Sequence, residues 1–286
     1  MKSIRHKTLA IRCLCAVFFF TIVASCAKAE TKETVSAPAA DTVVPAVTPE
    51  FASAKFRDPS APVEERVEDL LARMTVDEKI GQMTQVVFYK LRDGEMKTFA
   101  FGSALSGGGG SPWGNNTIPA WCDMVDGLQK EALSTRLGIP MLYGTDSVHG
   151  HNNLLNATIF PHNIGIGAAG DPDLAERIGK AAALETAATG VPWTFAPCVA
   201  VARDPRWGRF YESYGQDSAL VTRLSSAFIR GFQSADTGAA KSIVTAKHFL
   251  GDGNTVWGSS RTGNYFIDQG NMIKDEKFIR ETLLPP

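Results

Sequence analysis

The sequence predicts an α/β fold of the (β/α)8 TIM-type barrel, incomplete, with about five of the eight strands present. Two patterns carry this expectation. Short apolar runs without alternation recur along the chain, separated by segments of helical periodicity, as in a parallel sheet covered on both faces. Polar residues gather just after these runs: Asp146, His149 and His151 after the third, Arg203 to Glu212 after the fourth, and Lys247 with His248 at the end of the fifth. A doubly wound sheet shares the alternation. Polar groups from several strand ends meeting on one rim favour the barrel.

Val63 to Met74 places Val63, Val67, Leu70, Leu71 and Met74 on one helical face. Thr75 followed by Glu78 is a capping-box pattern that opens a second helix. Thr84 to Tyr89 and Phe99 to Leu105 read as buried strands, the latter leading into a Gly107 to Gly110 loop. Ile118 to Leu137 is helical and stops at Gly138, and Ile139 to Gly144 is the third strand. Asp173 to Thr189 is an Ala-rich helix ending at Gly190. Trp193 to Cys198 is the fourth strand, Leu220 to Phe232 a helix, Ser242 to Leu250 the fifth strand. Glu276 to Leu284 is an amphipathic helix running into Pro285-Pro286.

The first 26 residues do not look like part of the fold. Lys2, Arg5, Lys7 and Arg12 precede the apolar run Cys13 to Val23, too short for the ~20 residues of a membrane-spanning helix. That is an export-signal pattern. Val23-Ala24-Ser25-Cys26 resembles the bacterial lipobox, in which the cysteine is lipidated after cleavage. The expectation is an exported lipoprotein of a Gram-negative bacterium, periplasmic or anchored to the outer membrane through Cys26. Residues 27 to 55 are rich in Ala, Thr and Pro without apolar periodicity and read as a linker. From roughly Ala52 onward about 234 residues remain for the fold, slightly under the ~250 of a typical barrel.

Composition excludes several classes. With 29 Lys+Arg against 30 Asp+Glu, the net charge is −1 and the charges are scattered, so no nucleic-acid partner is expected. The five cysteines form no CxxC pair and no zinc-ligand spacing. Gly107 to Gly110 lacks the Lys-Ser/Thr of a phosphate loop.

Several long motifs carry a family resemblance. Tyr143-Gly144-Thr145-Asp146-Ser147-Val148-His149-Gly150-His151-Asn152-Asn153, Arg203-Asp204-Pro205-Arg206-Trp207-Gly208-Arg209-Phe210-Tyr211-Glu212-Ser213-Tyr214, and Ala246-Lys247-His248-Phe249 with Gly251-Asp252-Gly253 are in that order. Together they resemble glycoside hydrolase family three, the β-glucosidase and exo-β-glucanase family, over roughly Val63 to Pro286. The resemblance implies a retaining, exo-acting β-glucosidase that releases glucose from the non-reducing ends of β-glucans or β-glucosides, without cofactor or metal. It also implies that Asp146, Arg209, Lys247 and His248 line the pocket of the terminal glucose. The chemistry of these side chains suits the task, because sugar hydroxyls both donate and accept, and charged partners make the stronger hydrogen bonds. Arg209 has a competing structural use as ion-pair partner of Asp204 or Glu212, and Arg206 is the better structural candidate of the two arginines.

Lys247 and His248 are neighbours on a strand, so an extended backbone points them to opposite faces. Both reach one pocket only if the backbone is irregular there, and the resemblance implies non-proline cis peptides in this segment. His149 and His151 form an H-x-H pair that suggests, as an alternative, a metal-dependent barrel hydrolase. Retaining glycosidases need a nucleophile and an acid/base carboxyl group. The resemblance implies an aspartate in a Ser-Asp-Trp type motif of a later strand and a glutamate from a second domain, and neither motif occurs in these 286 residues. The expected chain therefore holds the sugar pocket without catalytic residues and lacks the C-terminal part of the same protein; a five-stranded barrel leaves unpaired edges. A non-catalytic glucan-binding lipoprotein is the rival class. One departure from the family pattern is a long loop between Gly253 and Asp268.

Overall fold

A computed structural model describes residues 51–286 except 239–241 and 264. Cys26, the export signal and most of the linker lie outside the described residues. Five parallel strands form one sheet in sequence order: β1 (Gln85–Val87), β2 (Ser103–Ser106), β3 (Leu142–Thr145), β4 (Trp193–Thr194) and β5 (Ile243–Val244). The sheet is open, with β1 and β5 at its edges, so the fold is a barrel of this class carried through five strands. Helices α1 (Val63–Arg73), α2 (Val76–Gln82), the short α3 (Glu95–Thr98), α4 (Ile118–Leu133), α5 (Asn163–Ala169), α6 (Pro172–Ala188), α7 (Ser218–Ser234) and α8 (Glu276–Phe278) surround it, and a π-turn, Ile279–Leu283, continues α8. Among the described residues no helix is long and apolar enough to cross a membrane.

Local chemistry explains the boundaries. Thr75 Oγ1 accepts from the Glu78 backbone N–H at 3.2 Å, and Glu78 Oε2 accepts from the Thr75 N–H at 2.9 Å. This is the capping box that starts α2. Asp171 and Asp217 cap α6 and α7 more simply, each side chain accepting from backbone N–H groups of the first turn. The strands are shorter than their apolar runs. Tyr89 falls in a 3-10 turn, Phe99 follows α3, and the fourth run turns at the cis peptide Ala196–Pro197. Pairing resumes beyond that turn: Val199 N–H donates to Lys247 O at 2.6 Å and Lys247 N–H to Pro197 O at 3.0 Å. These two bonds tie Lys247 to the end of the fourth run.

Two apolar clusters cover the sheet. One joins Ile178, Ala182, Val221, Leu224 and Phe228 of α6 and α7 with Tyr214. Glycines let these helices approach, because a Cβ on Gly231 would overlap the Glu176 carbonyl and one on Gly179 the Phe228 carbonyl. The other gathers Phe88, Met96, Trp121, Val125 and Tyr143. Packing also reaches into the stretch expected to be linker: Phe51 and Ala54 are buried with Leu137. The apolar stripe of α1 is by contrast largely uncovered, with Val63, Val67 and Leu71 exposed.

Candidate functional site

The four residues expected to line a sugar pocket come together at the C-terminal ends of the strands. Asp146 follows β3 directly, and its N–H is held by Ser106 O at the end of β2 (3.2 Å). Lys247 Nζ donates to Asp146 Oδ1 at 2.6 Å across 101 residues of sequence. Arg209 sits in the loop after β4, and its Nη2 lies 3.0 Å from His248 Nε2. The Lys247–His248 and Phe249–Leu250 peptide bonds are both cis, as the family resemblance implies for this segment, and Lys247 and His248 both reach the cluster.

Protonation follows from the partners. A guanidinium can only donate, so His248 Nε2 accepts and the ring's proton sits on Nδ1. Nδ1 lies 2.9 Å from Asp252 Oδ2, near enough for attraction but not aligned as a hydrogen bond. Glu212 grips Arg209 with both oxygens, Nε to Oε1 and Nη2 to Oε2, each at 2.7 Å. Burial pushes the Glu212 carboxyl up, but the Arg209 bonds and charge, with the charge of Lys247, outweigh it and hold the carboxyl below its ordinary range. The same bonds hold Arg209 firmly cationic.

The side chains of Asp146, Lys247, Arg209 and His248 keep between 14% and 34% of their surface open, so a ligand can reach all four. They offer carboxylate acceptors, cationic donors and an imidazole within one cluster, the mixture that polyhydroxylated rings require. Arg206 takes the structural part: its ion pair with Asp204, at 2.5 Å, shapes the turn that delivers Arg209. Arg209 does pair with Glu212, the competing use, while keeping its contact to His248. Glu212 and Asp252 thus join the cluster, although the sequence assigned them no binding role. Their signal was spacing, three residues from Arg209 and four from His248.

The H-x-H pair does not converge. His151 is fully buried edge-on to Trp121, its Nε2 3.0 Å from Thr189 Oγ1, and burial depresses it to about 4. His149 instead meets His162, ring nitrogens 3.1 Å apart, and Tyr211 packs on His162. Burial, and then the neighbouring His162, lower the His149 pKa. Among the described residues no three His, Cys, Asp or Glu side chains are grouped to hold a metal. Cys198, buried beneath the cluster, has its thiol pushed up to about 11 by burial, which leaves it a packing residue. Asn153 ties the Gly107 to Gly110 loop to β3: its Nδ2 donates to Gly107 O (2.8 Å) and Thr145 Oγ1 (3.1 Å), and its Oδ1 accepts from Gly109 N–H (2.9 Å).

Comparison with known proteins places this geometry. The sequence pattern of the glycosyl hydrolase family 3 N terminal domain matches residues 75–278. The chain is 32% identical over 242 residues to the lysosomal beta glucosidase of Dictyostelium discoideum, covering 77% of this chain and 28% of that protein. It is 33% identical over 198 residues to the periplasmic beta-glucosidase of Salmonella typhimurium, covering 65% and 23%. Among solved structures, the exo-1,3/1,4-beta-glucanase of a Pseudoalteromonas species superposes with a TM-score of 0.69 at 44% identity, over 79% of this chain and 28% of that one. The beta-glucosidase of Listeria innocua in complex with isofagomine does so with a TM-score of 0.62 at 27% identity, over 78% and 30%. The chain thus spans under a third of the length of each of these relatives.

Proposed function

The chain belongs to glycosyl hydrolase family 3, and from that premise we propose that it carries the pocket for the terminal glucose of a retaining, exo-acting β-glucosidase or β-glucan glucohydrolase. The supporting observation is the convergence of Asp146, Lys247, Arg209 and His248 from three successive strand ends. In this reading Asp146 and Lys247 pair with one set of hydroxyls, Arg209 and His248 with another, and Glu212 and Asp252 hold the last two in place. Two carboxyl groups about 5 to 5.5 Å apart complete a retaining site. The motif expected to supply the nucleophile is not found in these 286 residues, and we assign both carboxyl groups to sequence beyond them.

An assay on an aryl β-glucoside tests this. The 286-residue chain is inactive and a chain extended by its downstream coding sequence releases β-glucose with retained configuration. Hydrolysis by the shorter chain alone overturns the assignment, because residues within it must then do the chemistry. The rival, a glucan-binding lipoprotein without activity, gains if the extended chain is also inactive while both bind glucan.

The relative from Salmonella typhimurium is periplasmic by name, and the leader pattern of this chain supports export with lipid attachment at Cys26. Metabolic labelling with a fatty acid marks the parent and not Cys26→Ser; label on that variant refutes the anchor.

A further inference from the structure

The two oxygens of Asp146 meet different surroundings. Lys247 Nζ occupies Oδ1 at 2.6 Å. Oδ2 faces the Gly107 to Gly110 loop, since a Cβ built on Gly107 would lie 3.9 Å from it. The loop follows β2 directly and brings only backbone to the carboxylate, a close approach that glycine permits. Four consecutive glycines are also the backbone with the most conformational freedom to lose. A wall made of them keeps its place only if other groups hold it.

Asn153 does this. It is buried, and its side chain uses every hydrogen-bonding position of a carboxamide. Nδ2 donates to Gly107 O and to Thr145 Oγ1, while Oδ1 accepts from Gly109 N–H at 2.9 Å and from Asn152 Nδ2 at 3.0 Å. Nδ2 therefore bridges the loop that faces the Asp146 carboxylate and the residue directly before Asp146. Gly107 O also takes the Gly110 N–H at 2.9 Å, which closes the loop on itself. Asn153 is fixed in its turn: its own carbonyl accepts from Asn116 Nδ2 at 2.9 Å, and Asn116 Oδ1 accepts from Nε1 of the fully buried Trp121 at 2.8 Å. An aspartate at 153 would lack both donors and set a negative charge against the Gly107 carbonyl.

We propose that Asn153 is a positioning residue of the glucose pocket: by clamping the Gly107 to Gly110 loop beside Asp146 Oδ2, it makes that loop a fixed wall and sets the direction from which a sugar hydroxyl reaches the oxygen. It touches no sugar itself. The inference rests on the glucose-pocket assignment above.

Calorimetric titration with glucose and with galactose, combined with hydrogen exchange at the Gly109 amide, tests this. In the parent the Gly109 amide is protected, and glucose slows its exchange further. Asn153→Ala releases that amide, binds glucose about tenfold more weakly, the worth of one hydrogen bond, and discriminates less between the two epimers. Gly231→Ala, which disturbs only the contact between α6 and α7, lowers Tm and keeps both sugar affinities, so a loss of stability alone does not mimic the effect. A folded Asn153→Ala with the parent's glucose affinity and epimer ratio overturns the positioning role. If that variant does not fold, the parent decides: a Gly109 amide that exchanges as fast as unstructured backbone, or whose exchange bound glucose leaves unchanged, overturns it. A folded parent that binds no glucose overturns the glucose pocket, and the positioning role falls with it.

Discussion

Glu212→Gln isolates what holds Arg209 in place. The Glu212 side chain is only 10% exposed and makes two 2.7 Å bonds to a guanidinium that is itself 34% exposed. Removing one partner of a fully buried ion pair costs about 3–5 kcal/mol, whereas exposed pairs are worth under about 1 kcal/mol. With one partner buried and the other partly wet, and with glutamine able to keep one bond, the expected loss is about 2 kcal/mol. For a domain of this size that lowers Tm by roughly 4–8 °C at pH 7. The pH dependence has a definite sign. The Glu212 carboxyl is held below its ordinary range in the fold, so its contribution is complete above the unfolded value of about 4.3 and is lost as pH falls through the folded value. Thermal unfolding followed by circular dichroism therefore shows the full gap between parent and variant at pH 7 and a closing gap below pH 4. A gap under about 1 °C at pH 7, or one that persists unchanged at pH 3, refutes the positioning role.

Three further outcomes follow from the same contacts. Lys247→Met removes the cationic donor proposed for a glucose hydroxyl, and a charge-assisted bond of that kind is worth about 1.5–3 kcal/mol, so glucose affinity falls by roughly 10- to 150-fold in a calorimetric titration. His151, buried and depressed to about 4, resists protonation in the fold while the unfolded ring takes a proton below about 6.5; stability therefore declines as pH drops from 6.5 toward 4, and His151→Gln flattens that part of the denaturant midpoint profile. Gly231→Ala drives a methyl into the Glu176 carbonyl, costs about 1–3 kcal/mol of stability through overpacking and lowers Tm, whereas Gly127→Ala in α4 meets nothing within 4 Å and raises Tm slightly.

Much of this architecture is legible from periodicity and caps. The Thr75–Glu78 box, the Asp173 to Thr189 helix and the Leu220 to Phe232 helix are local features, and local chemistry decides them. Strand ends are not local: apolar runs such as Thr84 to Tyr89 continue past the point where a neighbouring backbone stops pairing, so β1 ends at Val87. Helix α5 escaped notice because Asn163–Ala169 is short and Gly-rich, and its place depends on Tyr214, whose carbonyl a Cβ on Gly167 would overlap. At the site, the motifs named Asp146, Arg209, Lys247 and His248, and their convergence follows from the barrel rim. Glu212 and Asp252 were harder to assign, since a carboxylate three or four residues from a basic group is usually a surface pair. Burial of Glu212 at the rim separates it from that common case.

The most direct test of the glucose pocket is a titration of the folded chain with glucose and with its C4 epimer, galactose, in parent and Asp146→Asn forms. The account predicts saturable glucose binding in the parent, weaker binding of galactose, and loss of most glucose affinity in the variant. Equal binding of the two epimers, or glucose binding untouched by Asp146→Asn, contradicts it.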